Sequence, residues 1–131
     1  MTPLIEHGSY STDWKIKAHY AMTCLLKGEA IKKDMDTLIA AYNVTQALVD
    51  LTKFPDRDGT MVRSKVAIAD ICERGHKSGR MVMKAAEIQA MNDLISLHDE
   101  FLDSVTVGEF ERAIAYAKKE IKSAFRVKVV P

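Results

Sequence analysis

Aromatic residues are scarce in this 131-residue chain, at 7% Phe, Trp and Tyr, and it holds only six glycines, three prolines and two cysteines. So few aromatics and turn-formers argue against a strand-rich sandwich or barrel. Cys24 and Cys72 lie far apart and form no Cys-x-x-Cys pair, which excludes a zinc knuckle and a disulfide framework. Both read as free, buried or half-buried thiols. No stretch approaches the ~18 apolar residues of a membrane span, and no apolar run follows a basic start. The expectation is a cytoplasmic protein without membrane contact. No Gly-x-x-x-x-Gly-Lys-Ser/Thr loop is present, and no strand-turn-helix elbow surrounds a serine. A catalytic signature is therefore lacking, and the chain reads as a non-enzyme that needs no cofactor.

What is present is helical periodicity. The length suits one domain over residues 1–131, large enough to bury its own core. Met35 to Leu51 is apolar on most of a helical circumference: Leu38, Ile39, Tyr42, Gln46 and Val49 follow one stripe, and Ala41, Val44, Leu48 and Leu51 a second. So wide a surface must be covered from several sides, which predicts an all-α, compact bundle of about five helices around this one. Its polar side chains Tyr42, Asn43, Thr45 and Gln46 must find partners inside the fold or face an interface.

The remaining elements follow from caps and breaks. Met1 to Ser11 looks irregular, and Ser11 or Thr12 can cap a first helix with Trp14, Ala18, Ala21, Met22 and Leu25 on one face and Gly28 as its stop. The second helix runs from about Ala30 to Phe54, closed by Pro55 and the turn chemistry of Asp56-Arg57-Asp58-Gly59. Thr60 can cap a third to about Arg74, with Met61, Val62, Val66, Ile68, Ala69 and Cys72 as its apolar positions. Residues 74–80 read as a loop. Ala85 to Ser104 carries the cleanest spacing, Ile88, Met91, Ile95, His98 and Leu102. Thr106 and Glu109 match a capping box for a last helix to about Ala124, burying Phe110, Ala113, Ile114, Ala117, Ile121 and Phe125. Residues 126–130 alternate enough to allow, at most, a minor two-stranded β pairing with 81–83.

A net charge of +1 conceals segregation along the chain. Residues 57–84 carry +4, residues 85–111 carry −7 with no basic group, and residues 112–131 carry +5. Two candidate surfaces follow. The first is basic: Arg74, His76, Lys77, Arg80 and Lys84 around two glycines, with Lys118, Lys119 and Lys122 of the last helix, a set that suits an anion or a nucleic-acid backbone. The second is acidic: Glu87, Asp93, Asp99, Glu100, Asp103, Glu109 and Glu111, which would suit a basic groove on a partner protein. Each also reads as a solvated surface, and the opposite signs permit a homodimer.

Two sharper possibilities carry less. His98 sits on the apolar stripe of its helix, either as a core imidazole or as a base or pH switch. Glu73-Arg74-Gly75-His76 has the Glu-x-x-His spacing of di-iron bundles, but occurs once where such sites need it twice, so no metal is expected. The last two helices resemble a helix-turn-helix in outline, yet Glu109 and Glu111 at the reading end would repel phosphates.

Three strings, HYAMTCLLKGEA at 19–30, KDMDTLIAAYNVTQAL at 33–48 and LHDEFLDSVTVGEFERAI at 97–114, resemble a family of uncharacterised small proteins from proteobacterial genomes, prophages and other mobile elements. The resemblance spans about two thirds of the chain and transfers no catalytic residue. It implies a cytoplasmic accessory protein of the phage-borne kind and nothing about mechanism. The segregated charge adds the expectation that the protein binds a host protein or nucleoprotein complex through its charged surfaces, with inhibition of a host defence system, in the manner of an anti-CRISPR protein, as one form of that action. Direct nucleic-acid or anion binding through residues 74–84 and the last helix is the alternative.

Overall fold

The computed structural model describes residues 4–52 and 56–129, with side chains at 12–52, 56 and 58–120. Five α-helices succeed one another: α1 (Leu4–Leu26), α2 (Lys32–Thr52), α3 (Thr60–Ser78), α4 (Ala85–Ser104) and α5 (Val107–Val129), with one 3-10 turn at Arg57–Gly59. The chain is an all-helical bundle, and α2 touches each of the other four helices. Leu38, Thr45 and Leu48 on α2 are sealed from solvent, as are Leu94 and Leu102 on α4 and Ala113 on α5. Thr45 satisfies its hydroxyl locally by donating to the Ala41 carbonyl at 2.7 Å. Among the described residues no helix is long and apolar enough to cross a membrane.

The caps explain the boundaries. Gly28, at φ 72°, ends α1, with the Glu29 N–H donating to the Cys24 carbonyl and the Gly28 N–H to Leu25. That pair of bonds is a Schellman motif, which satisfies carbonyls left open by the last turn. At α5 the capping box closes on both sides: the Glu109 N–H donates to Thr106 Oγ1 at 3.1 Å and the Thr106 N–H to Glu109 Oε1 at 2.9 Å. Thr60 is not a cap but the first helical residue. The cap is Gly59, and the Asp56 carboxylate reaches over it to accept from the Met61 N–H at 2.9 Å.

Four expectations are corrected. Residues 4–11 are helical, so Ser11 and Thr12 lie inside α1 rather than at its start. The segment 74–78 is helix, not loop, because Gly75 is used for close packing: a Cβ built there would fall 2.5 Å from Met81 Cγ. The break comes one glycine later, at Gly79, whose φ of 78° is left-handed and whose N–H closes on the Gly75 carbonyl. Among the described residues there is no strand: 81–83 lie in the α3–α4 connection and 126–129 continue α5, while residue 130 lies outside the described residues. A helix nucleated by a full capping box propagates at little cost per residue, so a brief alternation does not stop it. Finally, Val62, Val66 and Ala69 of α3 are exposed, and its buried face is Met61, Ser64, Ala67 and Ile71. Phe54, the expected end of α2, lies outside the described residues, as do the side chains of Ile121 and Phe125.

Replacing Gly75 by alanine tests the packing account. In an open helix this change stabilises by about 1 kcal/mol, but here the displaced Met81 reverses the sign. Chemical denaturation should show G75A less stable than wild type and G75A/M81A at least as stable as M81A alone.

Candidate functional site

The acidic block resolves into a ladder of internal contacts. Four of the carboxylates on α4 pair with a helix beside it. On the α1 side, Lys15 pairs with Asp103, and His19 Nε2 lies 2.7 Å from Asp99 Oδ2. On the α3 side, Arg63 Nη1 lies 3.0 Å from Asp93 Oδ2, and Arg74 grips Glu87 with two bonds of 2.9 and 2.8 Å. Lower-numbered partners meet higher-numbered ones in both seams, so α4 runs antiparallel to α1 and to α3. Glu109 is held by its capping box, Glu100 is exposed on α4, and Glu111 is exposed on α5. The acidic residues are thus divided between the α1 seam, the α3 seam and the start of α5, and Glu87, Asp93, Asp99 and Asp103 already have basic partners.

The Arg74–Glu87 pair is the most enclosed of these. Arg74 also donates to the Val82 carbonyl, and Glu87 Oε1 accepts the Lys84 N–H at 2.8 Å, capping the first turn of α4. The Arg74 guanidinium holds the Glu87 carboxyl below the usual carboxylate range, outweighing the opposing effect of burial, with the Lys84 N–H assisting. Bidentate geometry makes such a pair both strong and specific in orientation. Arg74, expected in the basic surface, is therefore engaged in holding α3 to α4.

The other basic residues divide. His76, Lys77, Arg80 and Lys84 are exposed; Lys77 pairs with Glu73 one turn back at 3.0 Å, and the Arg80 guanidinium lies over Gly28. Lys118 and Lys119 are exposed on the middle of α5, while the side chain of Lys122 lies outside the described residues.

His98 is fully buried, with its ring 6.3 Å from that of Trp14, which in turn sits edge-on to Phe110. Neither ring nitrogen has a hydrogen-bond partner among the described residues, and Asp99 Oδ1 stands 3.8 Å from Nδ1. Burial pushes the Asp99 carboxyl up, but the imidazoles of His98 and His19 outweigh it and the net shift is downward. With no route to solvent, His98 is placed as core and not as an accessible base.

Sequence reasoning missed a groove between α3 and α4. Val62 and Val66 (66% and 56% exposed) form one wall, Ala67 and Ala90 the floor, and Ala86 and Lys84 the far side, around a volume of about 450 Å³. The signal was available: Met61, Ser64, Ala67 and Ile71 fill one helical stripe, and Val62 and Val66 fall on another. Among the described residues no three His, Cys, Asp or Glu side chains gather to hold a metal ion. Compared with known protein families, curated proteins and solved structures, the chain has no match.

Acid should expose the ladder. A carboxyl whose pKa is lower folded than unfolded contributes stability above its unfolded value, about 4, and that contribution is lost as pH falls through the folded value. Glu87 and Asp99 are both of this kind, so unfolding free energy should fall below about pH 4, and the slope should be shallower in E87Q and D99N. Among the ladder partners, R74M should destabilise more than R63M or K15M by urea denaturation at neutral pH. The His98 ring is unsatisfied but faces Asp99, so its cost is read with that charge removed. An unsatisfied buried polar group costs about 1–3 kcal/mol, so H98L/D99N should be at least as stable as D99N alone; a large loss of stability would reveal a hydrogen bond at the imidazole.

Proposed function

We propose that the protein is a non-enzymatic accessory protein, of the kind carried by phages and other mobile elements, that acts by docking on a host protein or nucleoprotein complex. Inhibition of a host defence system is one form this action would take. The observation that carries the reading is the α3–α4 groove: two valines stand exposed beside a floor of small alanines, where another backbone can approach closely. Asp70 on one wall and Lys84 on the other have no ion-pair partner among the described residues. The occupant that fits is an amphipathic helix of the partner, with an apolar stripe on the valines, a basic residue toward Asp70 and an acidic one toward Lys84. The contact is apolar with a charged rim, since the acidic ladder of α4 is already engaged within the chain.

The alternative, direct binding of nucleic acid or another anion, rests on a different observation. Lys27, Arg80 and Lys84 stand exposed at one end of the bundle, where the guanidinium of Arg80 lies over Gly28, and His76 and Lys77 close α3 nearby.

The two readings separate on two variants. A photo-crosslinker placed at Val66 in the full chain should capture a host protein, and the double change V62E/V66E should abolish capture without altering the thermal melt. R80E should leave capture intact. Loss of binding in R80E but not in V62E/V66E, together with retention of the wild type on DNA at low salt, would overturn the docking reading in favour of the anion reading. Capture of a second copy of the chain alone would make the groove a homodimer contact and also overturn it.

A further inference from the structure

On the other flank of α3 lies a second, chemically different recess. The α2 helix contributes Tyr42, Asn43, Gln46 and Asp50, α5 contributes Tyr116 and Glu120, and Lys65 of α3 stands at the rim. Its volume, about 310 Å³, exists because the α2–α5 crossing is made by Ala47 and Ala117, both buried and both too small to fill it. The Tyr116 hydroxyl reaches across to Asp50 of α2, and the phenols of Tyr42 and Tyr116 line the same recess.

The hydrogen-bonding capacity here is largely unused. Asp50 accepts from Gln46 Nε2 at 3.0 Å and, at a stretched 3.4 Å, from the Tyr116 hydroxyl. The side chains of Tyr42, Asn43, Lys65 and Glu120 have no hydrogen-bond or ion-pair partner among the described residues. Tyr42 and Asn43 are half-buried, so their polar groups are partly withdrawn from water without an internal substitute. The field at the recess is negative. Burial, then the charges of Asp56 and Asp50, push the Tyr42 phenol up; the charge of Asp50, then burial and Glu120, do the same to Tyr116.

The geometry points to this recess as a binding site for an organic cation of side-chain size, a guanidinium or ammonium carried on a short apolar stem. The stem packs on the alanine floor, the cation lies against the tyrosine rings and within reach of Asp50 and Glu120, and Tyr42 and Asn43 accept hydrogen bonds from its remaining N–H groups. A cation facing aromatic rings and exposed carboxylates gains from both, each at the modest scale of a solvated site. Lys65 opposes such a ligand from the rim. This inference is independent of the α3–α4 groove.

The test is a titration of the full chain followed by amide chemical shifts. Agmatine should perturb residues 42–50 and 116–120 saturably, and glutarate, a dianion of similar length, should not. N-acetyl-arginine amide separates the two sources of the cation: binding of both probes fits the side chain of a peptide, and binding of agmatine alone fits a free amine. D50N and E120Q, at exposed positions, should each weaken agmatine by roughly tenfold, the scale of a charged hydrogen bond. K65Q should strengthen it. Weaker binding in K65Q would mean that the recess holds a carboxylate or a zwitterion, and would overturn the inference. So would the absence of localised shifts with either cation, or equal shifts with glutarate.

Discussion

The bidentate contact between Arg74 and Glu87 does three jobs that no other pair in the bundle combines. It ties the last turns of α3 to the first turn of α4. Through the Val82 carbonyl it pins the connection between them, and through the Lys84 N–H it caps α4. Breaking such a pair leaves a half-buried charge without a partner, whereas forming it is only modestly favourable once desolvation is counted. Its role is therefore to specify where α3 ends and how α4 leaves, more than to add stability. The groove between Val66 and Ala90 lies along the same α3–α4 seam that this pair closes.

Around this contact the acidic block takes on a structural meaning. The five carboxylates of α4, with no lysine or arginine among them, carry charge of one sign that nothing on an isolated helix would offset. In the bundle, α1 supplies Lys15 and His19 and α3 supplies Arg63 and Arg74, so charge of one sign on α4 selects its two neighbours. Exposed pairs of this sort contribute little energy individually. As a ladder they discriminate between registers, because sliding α1 or α3 by one turn would set each base against the wrong acid or against an apolar residue.

How far the fold could be read from residues alone depended on whether the deciding interaction was local. The bounds Ala85 to Ser104, the Gly28 stop and the Thr106–Glu109 box all rest on contacts within a few residues, and all were legible; the second helix as hub is tertiary, but the width of its apolar surface announces it. The course of 74–78 was not, because whether Gly75 breaks a helix depends on Met81, which returns over it only after the turn at Gly79. The candidate surfaces failed to be legible for the same reason. A list of charges along 74–111 says what is present, but pairing removes Arg74, Glu87, Asp93, Asp99 and Asp103 from free use, and pairing is tertiary. The polar residues of α2 fared better: covered on several sides, Tyr42, Asn43 and Gln46 had to meet something, and they meet a recess instead of a packed wall.

Both recesses border α3, and the packing explains why. The α2 helix is gripped by four neighbours, whereas among the described residues α3 packs chiefly on α4 and α2. Its buried face is narrow and made largely of small or polar groups, Ser64 and Ala67 beside Met61 and Ile71, so each flank is left open. Valines face one opening and Lys65 the other. Met61 and Ile71 supply the apolar anchorage of α3, and Arg63 and Arg74 set its register on α4. Because a few large side chains carry the burial, the rest of the helix surface is not claimed by the core, and it stays available for binding on both flanks.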